Sequence, residues 1–342
     1  MNMQFISKLP SPEELINDLP LSEEAKKRKK ENDKKIRSVI TGRSDKFLLI
    51  IGPCSADRAD SVLDYSERLA RIQEEVDDKI IIIPRVYTNK PRTTAEGYMG
   101  MASQPDPLDT PDFIKGLYAS RKLHLDVIEK TGLPTSDELL YPEFHLYLSD
   151  LLSYVAVGAR SVENQQHRLY ASGIDVPVGL KNPTSGDISV LMNSLKAAQT
   201  PHIFTFGGWE VLSKGNPFAH AILRGHVNKQ GQHLSNYSKD DISGLLKMYE
   251  ERGLLNPTVV IDTNHSNSGK NPFKQCDIAL DVLKTKKSSD ALNRFVKGLM
   301  IESYIADGSQ NPLDTEYGLS ITDPCLGWEK TEKLIFEIAD LL

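Results

Sequence analysis

Cysteine is scarce in this chain: three residues in 342, Cys54, Cys276 and Cys325, widely spaced and in no CxxC pair. That excludes a disulfide framework and a short-spaced zinc knuckle. No apolar run reaches 18 residues and the N-terminus has no signal-peptide hydrophobic region, so neither a membrane span nor secretion is expected, and the cytoplasm is the expected compartment. An excess of positive charge is also missing. With 41 Lys and Arg against 47 Asp and Glu, the net charge of −6 offers no global field for nucleic acid or anionic lipid. No GxGxxG follows the first apolar run and no GxSxG elbow occurs. The segment "TNHSNSGK" has Asn264 where a P-loop needs its first glycine, so dinucleotide, serine-hydrolase and nucleoside-triphosphate chemistry lose their usual signatures. There is no low-complexity tract and no fixed-period repeat. Trp209 and Trp328 read as packing residues.

What is present is an alternation of short aliphatic runs with longer helical patterns, the mark of βαβ units and a parallel sheet. The runs are residues 47–52, 80–86, 136–140, 155–159, 176–180, 219–223, 259–262 and 298–301. Eight of them point to a closed (β/α)8 TIM barrel within the α/β class. Residues 1–45 form an N-terminal helical extension, an interface or regulatory arm. It opens on Ser11-Pro12-Glu13-Glu14, a helix-start signature, and continues through a charged run, Lys26 to Lys35, that reads as a solvated face. This arm is expected to pack outside the main domain. Residues 46–342 form the catalytic barrel, and residues 202–214, "HIFTFGGWEVLSK", read as an inserted β-hairpin turning at Gly207-Gly208.

In such a barrel the C-terminal strand ends carry the site. Here they offer Cys54, Arg85, Glu138, Arg160, Lys181, Arg224, His265 and Glu302, one ionisable group per strand. Taken singly, an Arg at a strand end is usually a surface cation and a lone His usually a hydrogen-bonded structural residue; taken together, eight are a constellation. Arg85, Arg160, Lys181 and Arg224, joined by Lys90 and Arg92 of "TNKPRTT", repel one another unless anions fill the space between them. Six cations suit more than one phosphate or carboxylate, and Thr93 adds a hydroxyl beside Arg92 for a second phosphate pocket. Cys54 alone can be a core thiol, a disulfide half, a nucleophile or a metal ligand. With His265, Glu302 and Asp323 of "ITDPC" it makes a donor set that suits Mn²⁺, Fe²⁺, Co²⁺ or Zn²⁺ and is too soft for Mg²⁺ or Ca²⁺.

The segments "IGPCS", "RVYTNKPRTT", "GARSVENQQHR", "PVGLKNPTSGD", "AILRG", "IDTNHSNSGK", "IESYIADGSQ" and "SITDPCLGWE" together resemble the class I microbial 3-deoxy-D-arabino-heptulosonate 7-phosphate (DAHP) synthases over nearly the whole chain. The resemblance implies a metal-dependent transferase that condenses phosphoenolpyruvate with erythrose 4-phosphate at the entry to the shikimate pathway, working as a homodimer or homotetramer. It implies that Cys54, His265, Glu302 and Asp323 hold the divalent ion. It puts the phosphoenolpyruvate phosphate on Arg160, Arg224 and the backbone at Ala159, and the carboxylate near Arg85 and Lys181, with Lys90 also against phosphoenolpyruvate. Lys90, Cys54 and His265 fall at the reacting centre, with Lys90 or a water on the ion carrying protons. Arg92 and Thr93 take the erythrose 4-phosphate phosphate. Cys325, two residues from Asp323, is placed to oxidise with Cys54 if the ion is lost, and an ion and nearby cations are expected to lower the Cys54 pKa. Residues 140–146, "LYPEFHL", depart from the family's Leu-Asp-Met-x-x-Pro-Gln inhibitor wall, so no aromatic amino-acid effector is assigned. A sibling synthase using arabinose 5-phosphate typically carries an Ala-Asn-Arg-Ser loop in place of "KPRTT". A non-catalytic sugar-phosphate-binding barrel would need the cations but not the metal set.

Overall fold

A computed structural model describes every residue except Met1, Thr93, Ala95 and Thr315. Eight parallel strands make the central sheet: β1 Phe47–Gly52, β2 Ile80–Pro84, β3 Thr135–Glu138, β4 Leu152–Val157, β5 Val178–Lys181, β6 His220–Leu223, β7 Val259–Asp262 and β8 Val296–Glu302. Their spatial order is 2-1-8-7-6-5-4-3. The ring closes through a parallel bridge between Arg85 and Ser136, backed by Val86 N–H donating to the Ser136 carbonyl at 3.0 Å. This is a (β/α)8 barrel.

The strands are buried on both faces almost throughout, which explains the apolar composition of most of them; β3, Thr-Ser-Asp-Glu, is the polar exception. Successive side chains alternate. Leu48, Ile50, Ile81, Ile83, Tyr154, Ala156, Ile222, Val260 and Met300 fill the barrel interior, whereas Phe47, Leu49, Ile51, Ile80 and Ile82 pack in the larger core with the surrounding helices. β1 and β2 approach closely at their C-terminal ends. A Cβ on Gly52 would lie 2.8 Å from the Arg85 carbonyl oxygen, so only glycine fits there.

The N-terminal arm is helical as expected but packs differently. It is two helices, Pro12–Asp18 and Glu23–Ile40, because Pro20 cannot continue a helix and Ser22 caps the second by accepting from Ala25 N–H. It does not lie outside the barrel. Ile36, Val39 and Ile40 are fully buried in the same cluster as the barrel interior, so the end of the second helix plugs the floor.

The hairpin pairs Ile203–Phe206 with Trp209–Leu212 in antiparallel register. Gly207 and Gly208 both sit at positive φ, 55° and 82°, as a two-residue turn between right-twisted strands requires. Trp209 does not pack as expected. It is 75 % exposed at the hairpin, whereas Trp328 stacks edge-on against Tyr65. Among the described residues no helix is long and apolar enough to cross a membrane.

Candidate active site

The strand ends gather most of the expected residues at one rim, with shifts of a few positions. Arg85 lies one residue beyond β2, on the closing bridge, and Lys181 and Glu302 are the last residues of their strands. Ala159 and Arg160 fall in the turn after β4, and His265 opens a single-turn helix, His265–Ser268.

Cys54, Glu302 and Asp323 each present a ligand atom within 4.8 Å of the others. His265 is adjacent rather than part of that triad, its Nε2 being 3.7 Å from Glu302 Oε1. Its backbone is held at φ 51°, a left-handed conformation that costs energy for any residue with a Cβ. Asp262 compensates by accepting from His265 Nδ1–H at 3.0 Å, which fixes the ring and leaves Nε2 as the free nitrogen. One thiol, one imidazole and two carboxylates converge here. This donor set fits a borderline divalent cation.

Without an ion, the electrostatics oppose a thiolate. Burial, reinforced by the Glu302 charge, pushes the Cys54 thiol up to about 12, although Lys90 Nζ stands 2.6 Å from its sulfur. Lys90 pulls this thiol down, but burial and Glu302 outweigh it. Lys90 also reaches Asp323 Oδ2 at 3.3 Å; burial opposes its charge, but Cys54 and Asp323 together raise its pKa. Burial likewise opposes ionisation of Asp262, Glu302 and Asp323, yet all three carboxyls lie below their ordinary range. His265 and Lys181 act on Asp262, His265 and Arg85 on Glu302, and Lys90 and His265 on Asp323. Cys54, Cys276 and Cys325 are free thiols.

The cations differ in how well they are neutralised. Arg85 makes a 3.0 Å ion pair with Glu302, both side chains 1 % exposed, and lies over the Tyr87 ring, yet its Nη1 is buried without a partner. Lys181 pairs with Asp262 at 3.3 Å. Among the described residues, Arg224 and Arg160 have no carboxylate at ion-pairing distance. Burial, together with repulsion from Arg160, lowers the Arg224 pKa despite Asp262. A buried cation of this kind is stable only when an anion joins it. Arg92 donates from Nε to the Tyr98 carbonyl at 2.8 Å within its own loop. Thr93 lies outside the described residues.

Sequence reasoning missed the residues that hold this rim in place. Asp262 orients His265, and Asn264 Nδ2 donates to Glu302 Oε2 at 2.6 Å. Gln275 bonds both ways to the Glu302 backbone, donating to its carbonyl at 2.8 Å and accepting its N–H at 2.9 Å. Lys270 reaches Asp323 Oδ1 at 3.2 Å. Only Asp262 carried a signal, as a carboxylate ending an apolar strand three residues before His265. Asn264 and Gln275 are unremarkable as sequence.

A (β/α)8 barrel whose rim unites unpaired cations with a thiol, imidazole and carboxylate set defines a class of metal-assisted enzymes acting on anionic substrates. By comparison with known proteins, residues 19–335 match the DAHP synthetase I family, and the chain belongs to that family. It is 38% identical over 339 residues to the Tyr-sensitive phospho-2-dehydro-3-deoxyheptonate aldolase of Escherichia coli, covering 96% of this chain and 92% of that protein. The Phe-sensitive enzyme of the same organism is 36% identical, with 99% and 96% covered. A solved phospho-2-dehydro-3-deoxyheptonate aldolase from Francisella tularensis superposes with a TM-score of 0.91 at 32% identity, covering 99% of this chain and 98% of that one.

Proposed function

We propose that this chain is a DAHP synthase: it joins phosphoenolpyruvate to erythrose 4-phosphate, consumes water and releases phosphate. The observation that carries this reading is the meeting, at one barrel rim, of uncompensated arginines with the Cys54, Glu302 and Asp323 group, which Lys90 faces. A sugar-phosphate-binding barrel needs only the cations.

In this reading Arg160, Arg224 and the backbone at Ala159 bind the phosphoenolpyruvate phosphate. Arg85, through its unpartnered Nη1, and Lys181 receive the carboxylate. Arg92 and Thr93 take the phosphate of erythrose 4-phosphate. Held in line, C3 of phosphoenolpyruvate attacks the aldehyde carbon; water adds at C2, and the hemiketal phosphate loses phosphate. Lys90 Nζ is the proton carrier at the reacting centre. Positioning two reactants in this way can supply on the order of 7–11 kcal/mol. Cys54, His265, Glu302 and Asp323 would hold one divalent ion (Mn²⁺, Fe²⁺, Co²⁺ or Zn²⁺), which when bound acts as a Lewis acid toward the aldehyde oxygen. A homodimer or homotetramer in the cytoplasm completes the reading.

The test is the loss of phosphoenolpyruvate absorbance with erythrose 4-phosphate or arabinose 5-phosphate, with and without a chelator. Fast turnover with the four-carbon sugar, abolished by chelation and restored by a divalent ion, is expected. Preference for arabinose 5-phosphate would reassign the enzyme to its sibling, and activity surviving thorough metal removal would refute the ligand set. Near-normal turnover by Lys90→Met would remove Lys90 from the mechanism.

A further inference from the structure

The loop after β2, which carries Lys90 and Arg92, is fastened to the barrel by a residue outside every motif named above. Asp137, on β3, is 3 % exposed, and among the described residues no lysine or arginine pairs with it. A carboxylate buried without a cation is tolerated only when strong hydrogen bonds replace its water. Thr88 supplies two of them. Its N–H donates to Asp137 Oδ1 at 3.0 Å and its hydroxyl to Oδ2 at 2.5 Å, while Glu138 N–H donates to Oδ1 at 2.7 Å. His124 Nε2, from the helix Phe113–Thr131, stands 3.5 Å from Oδ2, and its Nδ1 contacts the Thr135 hydroxyl at 3.0 Å.

Thr88 is the point where the loop crosses itself. Its carbonyl accepts from Ala102 N–H at 2.9 Å, and Lys90 N–H donates to the Met99 carbonyl at 3.1 Å. The crossing is tight enough that a Cβ on Gly100 would lie 2.5 Å from the Thr88 oxygen. Both backbone polar groups and the hydroxyl of Thr88 are thus committed, and Asp137 takes two of the three. The substrate side chains leave the chain two and four residues later. A shift of Thr88 is therefore transmitted to both across a short span already pinned at its far end, where Tyr98 donates its hydroxyl to the Ala56 carbonyl at 3.0 Å.

We propose that Asp137 is a positioning residue for the substrate loop: by fixing Thr88 it aims Lys90 and Arg92 and so sets the affinity for the aldose phosphate. The identity of that substrate rests on the function proposed above; the anchoring does not. Asp137 touches no reactant, so a merely structural role predicts lower stability with both KM values unchanged.

Asp137→Asn, Thr88→Val and Thr88→Ser distinguish the two. Removing a residue that orients a functional side chain typically costs roughly 10–100-fold. Asp137→Asn and Thr88→Val are expected to raise the KM for erythrose 4-phosphate by about tenfold or more by this measure. Calorimetric binding of phosphoenolpyruvate should change much less, because Arg160, Lys181 and Arg224 stand on other strands and Arg85, though on the same segment, is held separately by its ion pair with Glu302. Thr88→Ser, which keeps the hydroxyl, should retain wild-type kinetics. The proposal is overturned if Asp137→Asn lowers Tm but leaves the erythrose 4-phosphate KM alone, or if Thr88→Ser is as impaired as Thr88→Val. Should Asp137→Asn fail to fold, the Val and Ser pair at position 88 decides the matter. If the wild-type chain does not use erythrose 4-phosphate at all, the proposed function fails, yet hydrogen exchange still tests the anchor. Faster exchange at Thr88–Tyr98 in Thr88→Val than in the wild type supports it, and equal exchange sinks it.

Discussion

At Cys54, burial and the Glu302 carboxylate outweigh an ammonium 2.6 Å away, so the sulfur becomes a thiolate ligand only if a metal cation binds. Arg224 is the opposite case, a buried cation waiting for charge. Arg224→Ala removes one charged contact worth about 1.5–3 kcal/mol. The phosphoenolpyruvate KM should accordingly rise about 10–100-fold with little change for erythrose 4-phosphate, as separate saturation curves would show. Two histidines far from the chemistry contribute to acid sensitivity. Burial pushes His145 and His220 down to about 4, and His220 is locked neutral, its Nδ1 donating to the Phe218 carbonyl and its Nε2 accepting from the Tyr154 hydroxyl. The unfolded chain binds these protons near pH 6.5 while the folded one does not, so their contribution is complete above pH 6.5 and is lost as pH falls toward 4. A shift of this size is worth roughly 3 kcal/mol for each histidine. Denaturant titrations at stepped pH should show that loss, and His220→Gln should flatten the slope by about one proton.

Among the elements, the second N-terminal helix belongs energetically to the barrel. Ile36→Ala should cost about 2–5 kcal/mol by chemical denaturation, the range for emptying a fully buried isoleucine site. An arm lying outside the domain would lose almost nothing. The inserted hairpin behaves differently, since a Cβ on Gly207 or Gly208 meets nothing within 4 Å and only the backbone objects. Gly208→Ala places a Cβ at φ 82°, which should cost about 1–2 kcal/mol locally. Hydrogen exchange should then speed up across 203–212 while the barrel strands keep their protection. Helix identity, strand identity and the hairpin were legible because each is written in local periodicity or turn chemistry. The plugging of the floor was not, because Ile36, Val39 and Ile40 carry the same apolar spacing whether a helix lies against a barrel side or its end.

At the scale of the molecule, a net charge of −6 surrounds a rim to which the proposed reaction would bring two anionic substrates. Local cations must therefore overcome the global field, and screening should weaken that attraction. Raising salt from low to about 1 M, where the Debye length is about 3 Å, should increase both KM values more than it changes kcat. Thorough chelation should abolish activity and lower Tm, because an ion bound only by the folded state stabilises it by mass action. Differential scanning calorimetry of the chelated and reloaded protein checks this.

The sequence by itself determined which residue types reach the rim: eight short strand runs, each ending in or followed by an ionisable group, with motifs that resemble one enzyme family. It also determined that any anion site must be built from local cations. Only the tertiary structure decided which of those groups neutralise one another. Arg85 with Glu302, Lys181 with Asp262 and Lys90 with Asp323 are pairs that join distant parts of the chain, and among the described residues Arg160 and Arg224 are left without a carboxylate partner. It likewise decided the contacts of Gln275 and Asp137. Those contacts are hydrogen bonds across strand and helix boundaries, and the folding of the barrel is what brings their donors and acceptors within 3.0 Å.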